Sequence, residues 1–384
     1  MYKKYYKNFL ETHKGKLHLA AHSHHFWPDI TRDAVIKSWD DSAKYSDKKW
    51  EYIFTNIVPK AQSHIANILN LSHPEQIAFA PNTHELLSRL LSCFSNNDSF
   101  EILTTKSEFH SFSRQLKRLL ELPNISAIII DNESPTFEED FLSHVKNADF
   151  IFISHVFYNS GKVLSFSFLD KIIEHKKDKS ILCLDGYHGF CAIETDLSKY
   201  ENDIFYLAGG YKYAQAGEGA CFMVCPKDTD LRPLNTGWFA SFSSLDIPQE
   251  KIDYANNGMR FWGATQDLTP LYRFNYVWDQ FFNDEVSIKK IDHYIKKLQI
   301  YFIENFEKTQ LLINTNLDTQ GHFLTLELSS HKLCEKLHGE LEKNNILTDF
   351  RANRLRFGFG LYLETEDLKQ KMKTINQIVF QVVG

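Results

Sequence analysis

The sequence Ile181-Leu182-Cys183-Leu184-Asp185-Gly186-Tyr187-His188 is an apolar run of strand length that changes abruptly to polar residues. A second run of the same form follows it, Tyr206-Leu207-Ala208-Gly209-Gly210-Tyr211-Lys212-Tyr213. Near-continuous apolar strands are typical of parallel sheets that are covered on both faces. In such sheets ligands bind outside the carboxyl ends of the strands. The two runs therefore predict an α/β fold with polar residues gathered at one edge of its sheet.

Apolar runs alternate with longer amphipathic stretches from about residue 47 to residue 226. We predict seven strands, at residues 77–80, 101–105, 127–131, 150–155, 181–185, 204–208 and 220–225. We predict helices between most of them, at residues 48–71, 84–94, 113–120, 138–146 and 168–177. This alternation indicates a mostly parallel seven-stranded sheet flanked by helices. The loop between the last two strands is too short for a helical crossover, so we expect that pair to be antiparallel.

The pattern changes after about residue 265. A helix at 265–282, a short strand at 322–328 and helices at 331–342 and 366–382 predict a smaller α+β unit. We therefore expect three parts. They are an N-terminal segment that contributes to the active site (1–30), a large α/β domain (31–265) and a small C-terminal α+β domain (266–384).

The composition excludes several classes of protein. Of 384 residues 43% are hydrophobic and 24% are charged, which is ordinary for a globular protein. The net charge of −6 and the lack of a dense basic face argue against a nucleic-acid partner. The sequence has no apolar run near the roughly 18 residues of a spanning helix and no secretory signal, so we expect a soluble, cytoplasmic protein without a membrane partner. The familiar glycine-rich dinucleotide and P-loop patterns are absent, which disfavours an NAD or ATP enzyme.

The six cysteines give no metal-binding or disulfide pattern. None lies in a CxxC pair, and Cys221 and Cys225 belong to an apolar, strand-like run. We therefore predict reduced, packed thiols and no metal site.

Asp185 and Lys212 form the most informative pair in the sequence. Each follows an apolar strand, and the two strands should be close in the sheet. Taken singly, an Asp at a strand end is commonly a turn residue, and a lone Lys is commonly solvated. Taken together, they match the layout that a pyridoxal phosphate (PLP) enzyme needs. The lysine forms a Schiff base with the cofactor, and the carboxylate keeps the pyridine nitrogen protonated.

Beyond this pair, the sequence resembles the class V, fold-type I PLP enzymes, and among them is most similar to the kynureninases. The resemblance runs from about residue 18 to residue 367. Four segments carry it: an Asp-x-x-His pattern, a Tyr-Lys-Tyr block with a glycine-rich turn, a Gly-Trp-Phe segment and an Arg-containing tail. In this sequence they are Asp185–His188, Tyr211-Lys212-Tyr213 with Gly217 and Gly219, Gly237-Trp238-Phe239, and Arg351, Arg356 and Tyr362.

The resemblance implies which residues hold the cofactor. Thr83 and His84 begin a predicted helix, whose N-terminus is a natural phosphate site, although Asn82 or Thr83 can equally be a simple N-cap. Phe109 would stack on the pyridine ring where many relatives have His, and Tyr211 would hydrogen-bond the phosphate. The further cofactor-binding residues that the resemblance implies are Asp185, His188, Lys212, Trp238 and Thr265. Trp238 and Thr265 would reach the cofactor of a neighbouring subunit, so we expect a homodimer with active sites at the subunit interface.

Arg356 is the expected ligand of a substrate carboxylate, because guanidinium binds carboxylate in a bidentate manner. Arg354 shares its strand parity and remains an alternative. The unusual loop around His24 and His25 occupies the place of the family's substrate loop. These histidines are either polar contacts and proton shuttles of the active site or exposed loop residues.

The function that the resemblance implies is a kynureninase-like hydrolysis of a small-molecule amino acid, with Lys212 and Asp185 as the catalytic residues. A class V aminotransferase or lyase on another amino acid remains an alternative, as does a catalytically silent binding protein on the same scaffold. A cysteine desulfurase is disfavoured, because that reaction needs a nucleophilic cysteine on a mobile loop and residues 341–356 contain none.

Overall fold

The computed structural model describes residues 1–94, 99–244 and 250–384. Its twelve strands within these residues are β1 (Leu17–His18), β2 (Ile77–Ala80), β3 (Phe100–Thr105), β4 (Ile125–Ile130), β5 (Phe150–Ser154), β6 (Ile181–Asp185), β7 (Ile204–Gly209), β8 (Cys221–Val224), β9 (Phe323–Glu327), β10 (Ile346–Leu347), β11 (Asp349–Arg351) and β12 (Arg354–Gly358).

Twelve α-helices are described in the same parts of the chain. They are α1 (Lys7–Thr12), α2 (Ile30–Tyr45), α3 (Lys49–Tyr52), α4 (Val58–Leu69), α5 (Thr83–Leu91), α6 (His110–Leu119), α7 (Phe137–Val145), α8 (Phe166–His175), α9 (Thr269–Asn283), α10 (Ile288–Asn305), α11 (His331–Lys343) and α12 (Thr365–Val383).

Seven strands form one sheet in the order β2-β8-β7-β6-β5-β3-β4. The predicted mostly parallel sheet is confirmed, since β4, β3, β5, β6 and β7 pair in parallel. The predicted antiparallel pairing of β7 with β8 is also confirmed, and β2 adds a second antiparallel pair on the other side of β8. Every residue of β5 is buried, as expected of a strand covered on both faces, whereas the edge strand β4 is only partly buried.

The predicted helices are present, with ends shifted by a few residues. The predicted helix at 48–71 contains α3 and α4, which are separated by a π-helical turn at Ile53–Ile57. The helix α9 begins at Thr269 rather than at residue 265, and Pro270 occupies its first turn, where a missing N–H does no harm. Two long helices, α2 and α10, were not predicted.

The C-terminal part contains a three-stranded antiparallel sheet in the order β11-β12-β9. The N-terminal segment joins this part, because β1 pairs in parallel with β10 and Ala20 bridges to Gly358. The division into parts at residues 30 and 265 stays a prediction. No helix in the described parts of the chain is long and apolar enough to span a bilayer.

Candidate active site

The carboxyl ends of β5, β6 and β7 lie at one edge of the large sheet, where Asp185 is in register with Ser154 and Leu207. Because β8 runs the opposite way, its first residue, Cys221, lies at the same edge beside Gly209. A cavity of about 330 Å³ opens there. Six of the predicted site residues line it: Thr83, Phe109, Asp185, His188, Tyr211 and Lys212.

Asp185 ends β6 with its carboxylate turned into the cavity. The backbone N–H of Tyr187 donates to its Oδ1 at 2.9 Å. Burial raises the pKa of Asp185, while this hydrogen bond and the charge of Lys212 act in the opposite direction. A buried carboxylate is stabilised by an adjacent cation. A protonated pyridine nitrogen is positively charged, so the carboxylate of Asp185 would stabilise it.

Lys212 lies in the turn that follows β7, and its side chain is almost completely buried. Its Nζ donates to Nε2 of His188 at 2.5 Å and lies 5.5 Å from the ring centroid of Phe109 and 5.0 Å from that of Tyr187. Burial, followed by the charge of Arg356, lowers the pKa of Lys212 to about 7. The amine is therefore neutral in much of the physiological pH range and able to act as a nucleophile or base.

The turn after Lys212 is held by two distant parts of the chain. Gly217 has a φ of +70°, and a Cβ there would lie 2.6 Å from the ring of Trp27. From α9, Arg273 Nε donates to the carbonyl oxygen of Ala216 at 2.6 Å. From the N-terminal segment, the hydroxyl of Tyr6 donates to the side chain of Gln215. Trp27, Arg273 and Tyr6 were not predicted as site residues, because sequence spacing does not reveal these long-range contacts.

The N-terminus of α5 lies at the rim of the cavity. Asn82 is the N-cap, since its side chain accepts the N–H of Glu85 at 2.9 Å. The N–H groups of the first turn have no partner within the helix, which suits them to bind an anion. Thr83 lines the cavity, whereas the side chain of His84 is exposed.

The two candidate arginines of β12 have different surroundings. Arg354 forms ion pairs with Glu133 and Glu327 at 2.5 and 3.1 Å. Arg356 is 3% exposed and lies close enough to Lys212 to lower its pKa. Its Nη1 donates to the carbonyl oxygen of Tyr158, a residue of the cavity wall, at 2.5 Å. Of the two, Arg356 is therefore the better candidate for a substrate carboxylate.

The histidine loop is divided between the site and the core. His24 Nδ1 lies 3.3 Å from the hydroxyl of Tyr211, which lines the cavity. His25 is buried away from the cavity lining and donates from Nδ1 to the carbonyl oxygen of Phe26 at 2.7 Å. Burial lowers the pKa of His25 to about 3. The predicted substrate contact of His24 is compatible with this placement, while His25 would have to act through other residues.

Two buried groups near the cavity were not among the predicted site residues. His22 is fully buried, and its ring stacks on that of Phe323 with centroids 4.8 Å apart. Glu108, next to Phe109, is also buried and accepts hydrogen bonds from the hydroxyls of Thr105 and Ser154 at 2.6 and 2.5 Å. Burial raises the pKa of Glu108 to about 8, so this carboxyl group holds its proton at neutral pH. The only sequence signal for either residue was its closeness to a predicted site residue.

Trp238 and Thr265 lie apart from this cavity. Trp238 is 43% exposed, and Thr265 is exposed beside a separate surface cavity of about 370 Å³. Neither residue lines the cavity of its own subunit. Their predicted roles require a second subunit and stay predictions.

The donor set at the sheet edge fits PLP. A buried lysine, a strand-end carboxylate and a helix N-terminus converge on one cavity, and these are the partners of an aldehyde, a pyridinium nitrogen and a phosphate. The fold and this donor set define a fold-type I PLP enzyme, as predicted. Residues 38–349 match the family model described as aminotransferase class-V. The chain therefore belongs to the class-V aminotransferase family, and its cofactor is pyridoxal phosphate.

Solved structures share this fold at low sequence identity. The chain is similar to the cystine C–S lyase C-DES bound to its product cysteine persulfide, with a TM-score of 0.82, 14% identity and coverage of 96% of this chain and 99% of that chain. A C-DES variant with glycine covalently linked to the PLP cofactor gives a TM-score of 0.83 and 14% identity. The match covers 96% of this chain and 98% of that chain. The apo cysteine desulfurase from Thermococcus onnurineus NA1 gives a TM-score of 0.79 and 16% identity, and the match covers 95% of each chain. Comparison of the sequence with curated proteins finds no match.

The family match and the shared fold together confirm part of what the sequence predicts. The PLP cofactor, the class V family and an enzyme acting on amino acids are supported, whereas the neighbours described above are a C–S lyase and a desulfurase rather than kynureninases. The kynureninase resemblance is therefore confirmed only at the level of the family.

Bound PLP withdraws electrons from the substrate Cα, and the chain's own residues decide where protons and charges lie. Asp185 would stabilise a proton on the pyridine nitrogen through its negative charge. Lys212 presents an amine of lowered pKa at the cavity wall, and the hydrogen bond with His188 fixes the position of that amine.

Uptake of PLP by the apoprotein should follow the titration of Lys212. Because its pKa is lowered to about 7 from 10.5, the fraction of neutral amine rises as the pH passes through 7. We expect the rate of cofactor binding, followed by visible absorbance, to increase up to about pH 7 and to level off by about pH 8. In Arg356→Gln the rise should move to higher pH, because a positive charge near the amine is lost. A wild-type rate that climbs steadily between pH 8 and 10 would contradict the lowered pKa.

Proposed function

We propose that the protein hydrolyses the Cβ–Cγ bond of an aryl-keto amino acid of the kynurenine type. The observation that carries this proposal is the aromatic wall of the cavity. Tyr158 and Tyr187, which have no expected cofactor role, line it together with Phe109 and Tyr211, and the rings of Phe109 and Tyr158 meet edge to face with centroids 5.5 Å apart. Aromatic rings favour offset or edge contacts with another ring, so this wall suits an aryl side chain.

In this proposal each polar residue has one task. Arg356 holds the α-carboxylate of the substrate. Lys212 removes the Cα proton with its neutral amine, while His188 keeps that amine in place through its hydrogen bond. One water molecule completes the reaction: its hydroxyl joins the acyl carbon as the Cβ–Cγ bond breaks, its proton is added to Cβ, and the proton taken by Lys212 returns to Cα. The products are alanine and an aromatic acid.

A lyase that cleaves a Cβ–S bond is the second candidate. It is favoured by the similarity of the fold to the cystine C–S lyase C-DES. A desulfurase that carries sulfur on a cysteine is not favoured. All six cysteines lie in the described residues, and only Cys221 lines the cavity. Its thiol is 3% exposed, and burial raises its pKa to about 11, so it is a poor nucleophile.

The two candidates are separated by product analysis of the holoenzyme. Kynurenine, 3-hydroxykynurenine, cystine, cysteine and alanine are incubated separately, and anthranilates, alanine, pyruvate, persulfide and keto acids are measured. We expect an anthranilate and alanine in equal amounts from a kynurenine, with none from Lys212→Ala. Persulfide and pyruvate from cystine, without any anthranilate, would replace the first candidate by the second. A keto acid from alanine would instead indicate an aminotransferase.

We also propose that the protein is a homodimer whose subunits complete each other's active sites. This proposal is supported by the exposure of Trp238 and Thr265, which do not line the cavity of their own subunit. Light scattering should give twice the chain mass of 44.8 kDa. A fully active monomer would contradict this proposal.

A further inference from the structure

Arg356, the proposed carboxylate ligand, is already paired with a carboxylate of its own chain. Asp349 on β11 and Arg356 on β12 are directly opposite each other in the antiparallel pair. The Nη2 of Arg356 donates to Oδ2 of Asp349 at 2.5 Å. Both side chains are largely buried, with 12% and 4% of their surface exposed. This pair occupies Nη2, and Nη1 donates to the carbonyl oxygen of Tyr158, so a substrate carboxylate would bind in a bidentate manner through Nη2 and Nε.

The other contacts of Asp349 would allow it to give up this pair. Its Oδ1 accepts from Nη1 of Arg351 at 2.7 Å, and Arg351 is exposed to solvent. Asp349 therefore keeps a cationic partner if it releases Arg356. The Nε of Arg356 has no hydrogen-bond partner among the described residues and remains available.

His22 is a third group at this position. Its Nε2 lies 3.7 Å from Oδ2 of Asp349, and within the described part of the chain both of its ring nitrogens lack a hydrogen-bond partner. Burial and the charge of Arg356 keep the pKa of His22 well below its usual range, so the ring is neutral. A neutral imidazole has one N–H group. That group can donate either to the carboxylate of Asp349 or to a substrate carboxylate that replaces it beside Arg356.

We propose that Asp349 competes with the substrate's α-carboxylate for Arg356 and so sets how tightly the site binds any amino acid. This inference rests on the proposed role of Arg356 in substrate binding. Every ligand with an α-carboxylate must displace Asp349 from Arg356. This displacement weakens the binding of the ligand. An amino acid with a small side chain gains little elsewhere, whereas an aryl side chain gains contacts with the aromatic wall of the cavity. The exchange therefore lowers the affinity for every amino acid by the same factor, so an amino acid needs further contacts, such as those with the aromatic wall, to bind tightly.

The test is the affinity of the holoenzyme for L-alanine, measured from the change in the visible spectrum of bound PLP. We expect Asp349→Asn to bind L-alanine about tenfold or more tightly than the wild type, because the competing charge is gone. Ethylamine, which lacks the carboxylate, should bind equally to both proteins. Glu133→Gln is the matched control, since it removes the partner of Arg354 on the same strand, and its affinity for L-alanine should equal that of the wild type.

The opposite shift is expected when Asp349 is freed from its other partner. In Arg351→Gln, Asp349 has only Arg356 to pair with, so L-alanine should bind severalfold more weakly. This exposed substitution also tests the proposal if Asp349→Asn does not fold. Unchanged or weaker binding in folded Asp349→Asn, or unchanged binding in Arg351→Gln, would overturn the competition. Arg356→Gln tests the proposed role of Arg356 separately from the competition by Asp349. If this variant binds L-alanine as tightly as the wild type, Arg356 does not hold the substrate carboxylate.

Discussion

Asp185→Asn is expected to reduce turnover by about a hundredfold or more while PLP stays bound. Asparagine has the shape of aspartate, and its side-chain oxygen can still accept the N–H of Tyr187. It cannot supply the negative charge that stabilises a protonated pyridine nitrogen. Removal of one preorganised electrostatic contact in an active site commonly has an effect of this size. Turnover of the best substrate and the visible spectrum of the same sample provide the measurement.

Asp131→Asn is the matched control. Asp131 directly follows a parallel strand, β4, and like Asp185 its Oδ1 accepts the N–H of the residue two positions later, here Glu133 at 3.1 Å. It follows the edge strand β4, three strands away from β6, and does not line the cavity. Its turnover should therefore match that of the wild type. Equal turnover in the Asp185 and Asp131 variants would remove Asp185 from the catalytic group.

Gly186→Ala is expected to lower the free energy of unfolding by about 3 kcal/mol, the upper range for inserting a methyl group into a packed core. A Cβ at Gly186 would lie 2.0 Å from Cζ and 2.1 Å from the hydroxyl oxygen of Tyr206. Tyr206 belongs to β7 and is fully buried, so it has little space in which to move. The substitution should also disturb the site, because Gly186 directly follows Asp185.

Gly339→Ala is the comparison for this change. Gly339 lies within α11, and a Cβ there would meet no atom within 4 Å. Alanine is a better helix former than glycine, so this variant should gain about 0.5–1 kcal/mol. Urea unfolding of both variants measures the difference. A Gly186→Ala protein as stable as the wild type would show that β6 and β7 are less tightly packed at this edge than described.

The large sheet was predictable because each of its strands carries its own signal. Strands such as β5 and β6 are short, nearly continuous apolar runs that end in polar residues. The parallel arrangement then places those ends at one edge, which is why Asp185 and Lys212 could be paired before the structure was known. The helix α2 was missed because only Thr31, Ala34 and Asp41 of its residues are buried, so its apolar periodicity is weak. By contrast, α10 has regularly spaced buried residues, so its sequence has the pattern of an amphipathic helix.

Contacts between distant segments could not be predicted. The pairing of β1 with β10 brings the N-terminal segment to the C-terminal part, and neither two-residue strand has a pattern of its own. The burial of His22 beside Asp349 depends on this arrangement. Strand parity did not separate Arg354 from Arg356, whereas their partners do: Arg354 pairs with Glu133 and Glu327, and Arg356 donates to Tyr158 at the cavity wall. Tertiary packing determines which charged side chains form ion pairs, so these pairs cannot be derived from sequence spacing.

The most direct test of Lys212 as the PLP-bearing residue is reduction of the holoprotein with borohydride, followed by mass mapping of its peptides. Reduction fixes the cofactor permanently to the amine that holds it. We expect one equivalent of pyridoxal phosphate on the peptide that contains Lys212, and no visible absorbance band of lysine-bound cofactor in Lys212→Ala. Labelling of a different lysine, or a wild-type protein that stays colourless with added pyridoxal phosphate, would contradict this assignment.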